Sequence, residues 1–200
     1  MKPRKIWAVY FSGTGTTEKT VAHIAEGIAE KLGAAYDTFS YTLPQNRQEE
    51  LSFSADDLVV FGSPVYAGRV PNVLLPYLTG KVKGNSALAV PVVLFGNRNF
   101  DDGLIELRNV LEADGFHTVA AAGFVGEHSF SRTLGAGRPD AADLGEMDAF
   151  AAAAAEKVAA VVAAKKLTFP MYEKAGLAEN APNVGSLPYF YVVNHRGRVT

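Results

Sequence analysis

The chain has 200 residues, 48% of them hydrophobic, with 19 basic against 21 acidic side chains, a formal net charge of −2 and no cysteine. This composition suits one globular domain with an ample core. It excludes disulfides, thiolate metal sites, iron–sulfur clusters and a cysteine nucleophile. The near-balanced charge argues against a general nucleic-acid binder, and no stretch approaches the roughly 20 apolar residues of a membrane-spanning helix.

The basic residues 1–5 precede a short apolar run, residues 6–11 (IWAVYF). That run is too brief for a signal-peptide core, so the cytoplasm is the expected compartment and the run reads as a buried parallel strand. From Thr17 the period changes: Val21, Ile24, Ala25, Ile28 and Leu32 form one helical stripe, with Gly33 as the stop. Residues 36–41 alternate as a second strand, and the polar residues 44–54 read as surface loop. Residues 58–62 (LVVFG) predict a third strand. A short helix opens at Pro71 and runs to Leu78, bent or shortened by Pro76.

Residues 87–95 (ALAVPVVLF) predict a fourth strand in which Pro91, lacking an N–H, implies a bulge. Leu104, Leu107, Val110 and Leu111 mark the next helix, ended by Gly115, and residues 118–124 a fifth strand. The last helix runs from about Asp140 to Lys166 with a stripe of Leu144, Met147, Ala151, Ala154, Val158, Val161 and Val162. Five strands alternating with helices imply an open parallel α/β sheet covered on both faces. Residues 1–166 form that domain, and residues 167–200, interrupted by Pro170, Pro182 and Pro188, form an irregular C-terminal extension with one β-prone patch at residues 189–193.

The loop after the first strand is Ser12, Gly13, Thr14, Gly15, Thr16 and Thr17. It offers four hydroxyls, two glycines and the free amides of a helix start, a combination suited to a phosphate group. It lacks the Gly-x-x-x-x-Gly-Lys of a P-loop, and Glu18 stands where a dinucleotide fold needs its third glycine. The bland alternative is a Ser/Thr-rich turn that only caps the helix.

This segment resembles the flavodoxin phosphate fingerprint, Ser/Thr-x-Thr-Gly-x-Thr, and the resemblance extends over about residues 5–165. It implies a flavodoxin-like doubly wound sheet of strand order 2-1-3-4-5 with FMN at the carboxyl ends of the strands. The loops after strands three and four then join the site. The first supplies Pro64, Val65, Tyr66, Ala67 and Gly68, and the second Gly96, Asn97, Arg98, Asn99 and Phe100. Tyr66 and Phe100 are candidates for the ring faces. Gly68 suits the peptide rearrangement that flavodoxins make at the flavin N5, and Asn97 the pyrimidine edge.

These loops also look like those of flavodoxin domains fused to ferredoxin modules, although the cysteines of such modules are absent. Typical flavodoxins are strongly acidic. This chain is nearly balanced, and Arg69 and Arg98 near the flavin would weaken the electrostatic penalty on its reduced anion.

The implied function is electron transfer between redox partner proteins or to a small-molecule acceptor. The alternatives are an NAD(P)H-dependent FMN reductase of quinones and a binding module that has lost its flavin. A further loop at the same end, residues 126–132 (GEHSFSR), borders the site, and His128 is its candidate proton donor. His23, His117 and His195 share no metal-ligand spacing and read as structural.

Overall fold

The computed structural model describes residues 2–131, 133–167 and 191–193. In chain order they form β1 (Lys5–Tyr10), α1 (Thr16–Leu32), β2 (Ala35–Ser40), β3 (Asp57–Pro64), α2 (Leu75–Lys81), β4 (Leu88–Phe95), α3 (Gly103–Ala113), β5 (Ala121–Val125), α4 (Ala141–Leu167) and β6 (Tyr191–Val193). The strands lie in the order β2-β1-β3-β4-β5-β6, all parallel. This is the expected doubly wound order, extended at one edge by β6. Apart from Leu167 and β6, the C-terminal extension lies outside the described residues, as does Arg132.

Strands β3 and β4 are apolar and buried along nearly their whole length because helices cover both sides. On one face Ile6, Ala8, Leu58, Val60, Val90 and Val92 pack under α1 and α4. The small residues Gly27 on α1 and Ala151 on α4 meet where the two helices cross, a Cβ on Gly27 falling 3.2 Å from the Ala151 methyl. On the other face Val59, Phe61, Ala89 and Val93 pack under α2, α3 and the connection from β2 to β3. That connection, expected as surface loop, carries a 3-10 turn, Pro44–Arg47, and a two-residue strand, Leu51–Ser52, paired with Val82–Lys83. With no α-helix there, Tyr41 and the buried Phe53 fill the space that a helix would cover. Among the described helices none is long and apolar enough to cross a membrane.

Three further elements differ from the sequence expectation. The segment after Pro71 is a 3-10 turn, Asn72–Leu74, and α2 starts only at Leu75. Pro76 therefore sits in the first turn of α2, where no amide is needed, and starts the helix rather than bending it. The fifth strand is split into His117–Thr118 and Ala121–Val125. Third, the bulge implied by Pro91 lies opposite it: Ala89 pairs with Thr118 but Val92 pairs with Ala122, so the partner strand carries one extra residue. Strand β4 itself runs unbroken, with Pro91 in register with Phe61.

Candidate flavin site

All strands being parallel, the loops that follow them emerge at one end of the sheet. The loop after β1 is shaped by side chains around it. The Ser12 amide donates to Thr42 Oγ1 at 2.9 Å, and Ser12 Oγ accepts the Glu18 amide at 3.1 Å. The Tyr10 hydroxyl donates to Glu18 Oε1 at 2.8 Å. Burial, then the Glu18 carboxylate, pushes that hydroxyl up to about 12, so it stays a donor. Gly15 takes a left-handed φ of 85° as the N-cap of α1 and, being glycine, supplies no side-chain cap of its own.

In consequence the amides of Gly13, Thr14, Gly15, Thr16 and Thr17 find no acceptor among the described residues. Thr14 and Thr16 hydroxyls lie 3.3 Å apart beside them. A helix start with unclaimed amides, exposed hydroxyls and a favourable dipole is a fit for a dianionic phosphate. Lys19, the nearest cation in sequence, points elsewhere: its Nζ donates to the Pro139 carbonyl at 3.2 Å.

Close packing fixes where this loop stands. A Cβ on Gly62 of β3 would fall 2.2 Å from Val21 Cγ2 and 3.1 Å from Thr17 Cγ2. The bare Gly62 backbone thus lets the first turns of α1 rest directly on the sheet. The buried Tyr41 hydroxyl donates to the Gly62 carbonyl at 2.8 Å from the other face.

The loop after β3 is a tight turn, Tyr66 and Arg69 exchanging both backbone hydrogen bonds at 2.9 and 3.1 Å. Ala67 and Gly68, with φ of 51° and 80°, occupy its centre, as a type I′ turn requires. The turn is tied to α3 by Glu106, which accepts from Arg69 at 2.5 Å and from the Val70 amide at 2.7 Å. The Arg69 guanidinium holds the Glu106 carboxyl below the usual carboxylate range. Gly68 faces Asp101, leaving no room for a side chain, since its Cβ would lie 2.6 Å from Oδ2. Tyr66 is 48% exposed, and its hydroxyl reaches the phosphate loop, 3.6 Å from where a Gly13 Cβ would be.

The loop after β4 carries left-handed Asn97 and Asp101, with φ of 65° and 41°. Arg98 pairs with Asp101, as Arg69 pairs with Glu106. Both arginines expected near the flavin are thus already matched by carboxylates. Phe100 turns inward: its ring lies 5.4 Å from that of Phe95, and Gly123 leaves space for it in β5. Tyr66 stands open while Phe100 is held against the core on the α3 side.

The structure therefore brings the three sequence-derived loops to one end of the sheet and adds residues that the sequence did not mark. Thr42 has no motif around it, and Glu106 and Asp101 read only as helix and loop acids. The loop from Gly126 to Asp140 closes the same end. Gly126 packs against Thr16, where a Cβ would fall 2.7 Å from Cγ2, and the His128 ring lies on Gly96.

Residues 8–97 match the flavodoxin domain family. The fold is flavodoxin-like. The matched span contains residues 12–17 and 64–68 and ends at Asn97, so the rest of the β4 loop and the β5–α4 loop lie beyond it. Solved structures share the fold at low identity. An archaeal flavodoxin is 17% identical with a TM-score of 0.54, over 77% of this chain and 98% of its own. The rubredoxin oxygen:oxidoreductase of Desulfovibrio gigas is 19% identical with a TM-score of 0.55, over 81% of this chain but only 38% of its own. A short-chain flavodoxin associated with a PDU bacterial microcompartment is 12% identical with a TM-score of 0.52, over 79% of this chain and 99% of its own. No curated protein matches the sequence. The chain thus spans nearly the whole of the two flavodoxins and less than two thirds of the oxidoreductase.

Proposed function

We propose that this flavodoxin-like chain binds one FMN and passes electrons between redox partner proteins or to a small-molecule acceptor. The observation that carries the reading is the set of amides at residues 13–17 with no acceptor among the described residues, at the start of α1 and beside the exposed Tyr66 ring. FMN supplies a ring that takes up and gives back electrons.

Gly13, Thr14, Gly15, Thr16 and Thr17 would hold its phosphate through backbone N–H groups and hydroxyls. Tyr66 would offer the ring a face, and the turn at Ala67–Gly68, clamped to α3 by Glu106, would present backbone groups to its edge. Asn97, held left-handed, would place further backbone at the opposite edge. Glu106 and Asp101 compensate Arg69 and Arg98, so little uncompensated positive charge remains at the rim.

Titration with FMN and with riboflavin tests this reading. The wild-type chain should bind FMN at least about tenfold more tightly than riboflavin, because hydrogen bonds to a charged group are the strong ones. Equal affinity would remove the phosphate from the reading. Sustained reduction of benzoquinone by NADH or NADPH with this chain alone would replace the carrier role by that of a reductase.

A further inference from the structure

Phe130 is 97% exposed, at the tip of the loop between β5 and α4. An aromatic ring left in water contributes nothing to the core, and a single exposed one needs no explanation if its loop is slack. This loop is heavily cross-braced. The Glu127 amide donates to the Arg138 carbonyl at 3.1 Å, and the His128 amide to the Leu134 carbonyl at 3.1 Å. Glu127 Oε2 accepts the Gly137 amide at 3.0 Å, and Ser131 Oγ accepts the Leu134 amide at 3.2 Å. At its far end Arg138 forms a buried ion pair with Asp143. The Phe130 amide itself donates to His128 Nδ1 at 3.1 Å.

The braced loop rests on two of the three parts of the flavin site. Gly126 lies on Thr16 of the phosphate loop, and Lys19 of α1 donates to Pro139. The His128 ring lies against Gly96, with Cδ2 2.4 Å from a would-be Cβ, and the Phe130 ring is 6.1 Å from the His128 ring. Tyr66 stands on the third part, with its hydroxyl toward Gly13. For a planar group seated between the phosphate loop and the β4 loop, the β3 loop offers Tyr66 and the β5–α4 loop offers Phe130 as exposed aromatic rings. Phe100 is partly buried, its ring set against Phe95 and beside Gly123.

We infer that Phe130 is the aromatic residue that covers the flavin ring from the β5 side, with His128 and the braced loop holding it in place. The inference rests on the FMN reading above and adds a stacking residue from a loop outside the span of the family match. Stacking on a ring acts on FMN and riboflavin alike, whereas the phosphate loop acts on FMN alone.

Phe130→Ala should therefore weaken both ligands by the same factor, about tenfold, and Phe130→Trp should restore both. The fluorescence of the bound flavin should rise in the alanine variant and fall again in the tryptophan variant. The melting temperature of the flavin-free protein should not move, since Phe130 buries almost nothing. Unchanged affinity and fluorescence in Phe130→Ala, with FMN still preferred over riboflavin by the wild type, would overturn this inference and leave the FMN reading standing. Failure of the wild type to bind FMN would overturn both.

Discussion

At the amino ends of the strands the Asp57 carboxylate accepts from Arg4 at 3.0 and 3.2 Å and from the Ser54 amide and hydroxyl, each at 3.0 Å. At the carboxyl ends the amides of residues 13–17 have no acceptor among the described residues. Two turns with left-handed residues repeat the contrast. Asn85, at φ 47° ahead of β4, anchors its side chain to Ser52 Oγ at 2.9 Å and to the Phe53 carbonyl at 3.0 Å. Ala67, at φ 51° beyond β3, has no polar side chain to compensate its conformation. Hydrogen-bonding capacity that is closed at one end of the sheet is left open at the other. A fold tolerates unfilled donors and strained backbone where a ligand completes them.

If that division is right, substitutions should sort by end, and Gly62 should break the sorting. Gly62→Ala would push a methyl into Val21, and overpacking of this kind costs about 3 kcal/mol. It should also displace the first turn of α1, so chemical denaturation and FMN titration should both report a loss. Unchanged FMN affinity in a destabilised Gly62→Ala protein would show that the phosphate loop is not positioned by that contact. Asp57→Ala strands the Ser54 donors at the other end and should cost about 2 kcal/mol. Its FMN affinity, measured well below the melting temperature, should equal that of the wild type.

Asp114 sharpens the comparison, because it is the amino-end carboxylate left incompletely satisfied. It caps α3, one of its carboxylate oxygens is buried with no partner among the described residues, and burial raises its pKa from 3.8 to about 6. The folded protein therefore holds a proton that the unfolded chain releases. Stability should fall as pH rises from about 4 to 6, and the full penalty applies above that. Asp114→Asn should stabilise the protein by about 1 kcal/mol at pH 7, allowing for solvent at this half-buried site, with the gain gone below pH 4. Melting curves across that range check the sign.

Much of this fold was legible because buried parallel strands and amphipathic helices write their periods directly into sequence. The run at residues 58–62 is apolar throughout since both its faces are covered, and Val21, Ile24 and Ile28 recur as one stripe on α1. The phosphate loop was legible for the same local reason, as residues 12–17 supply their own amides, hydroxyls and glycines.

What local pattern does not carry is how far apart residues meet. That Pro91 breaks a ladder follows from its missing N–H, but which strand takes up the extra residue was settled by the pairing of Val92 with Ala122. Tyr66 and Phe100 look equivalent in sequence. The space beside Gly123 and the ring of Phe95 draw Phe100 inward, while the contacts of Gly126 with Thr16 and of His128 with Gly96 bring the loop that carries Phe130 to the same end of the sheet. The sequence by itself determined the alternation of strands and helices and the anion-binding loop, which are encoded in neighbouring residues. The tertiary structure decided which aromatic side chains stay exposed at the crevice, because that depends on packing between segments remote in the chain.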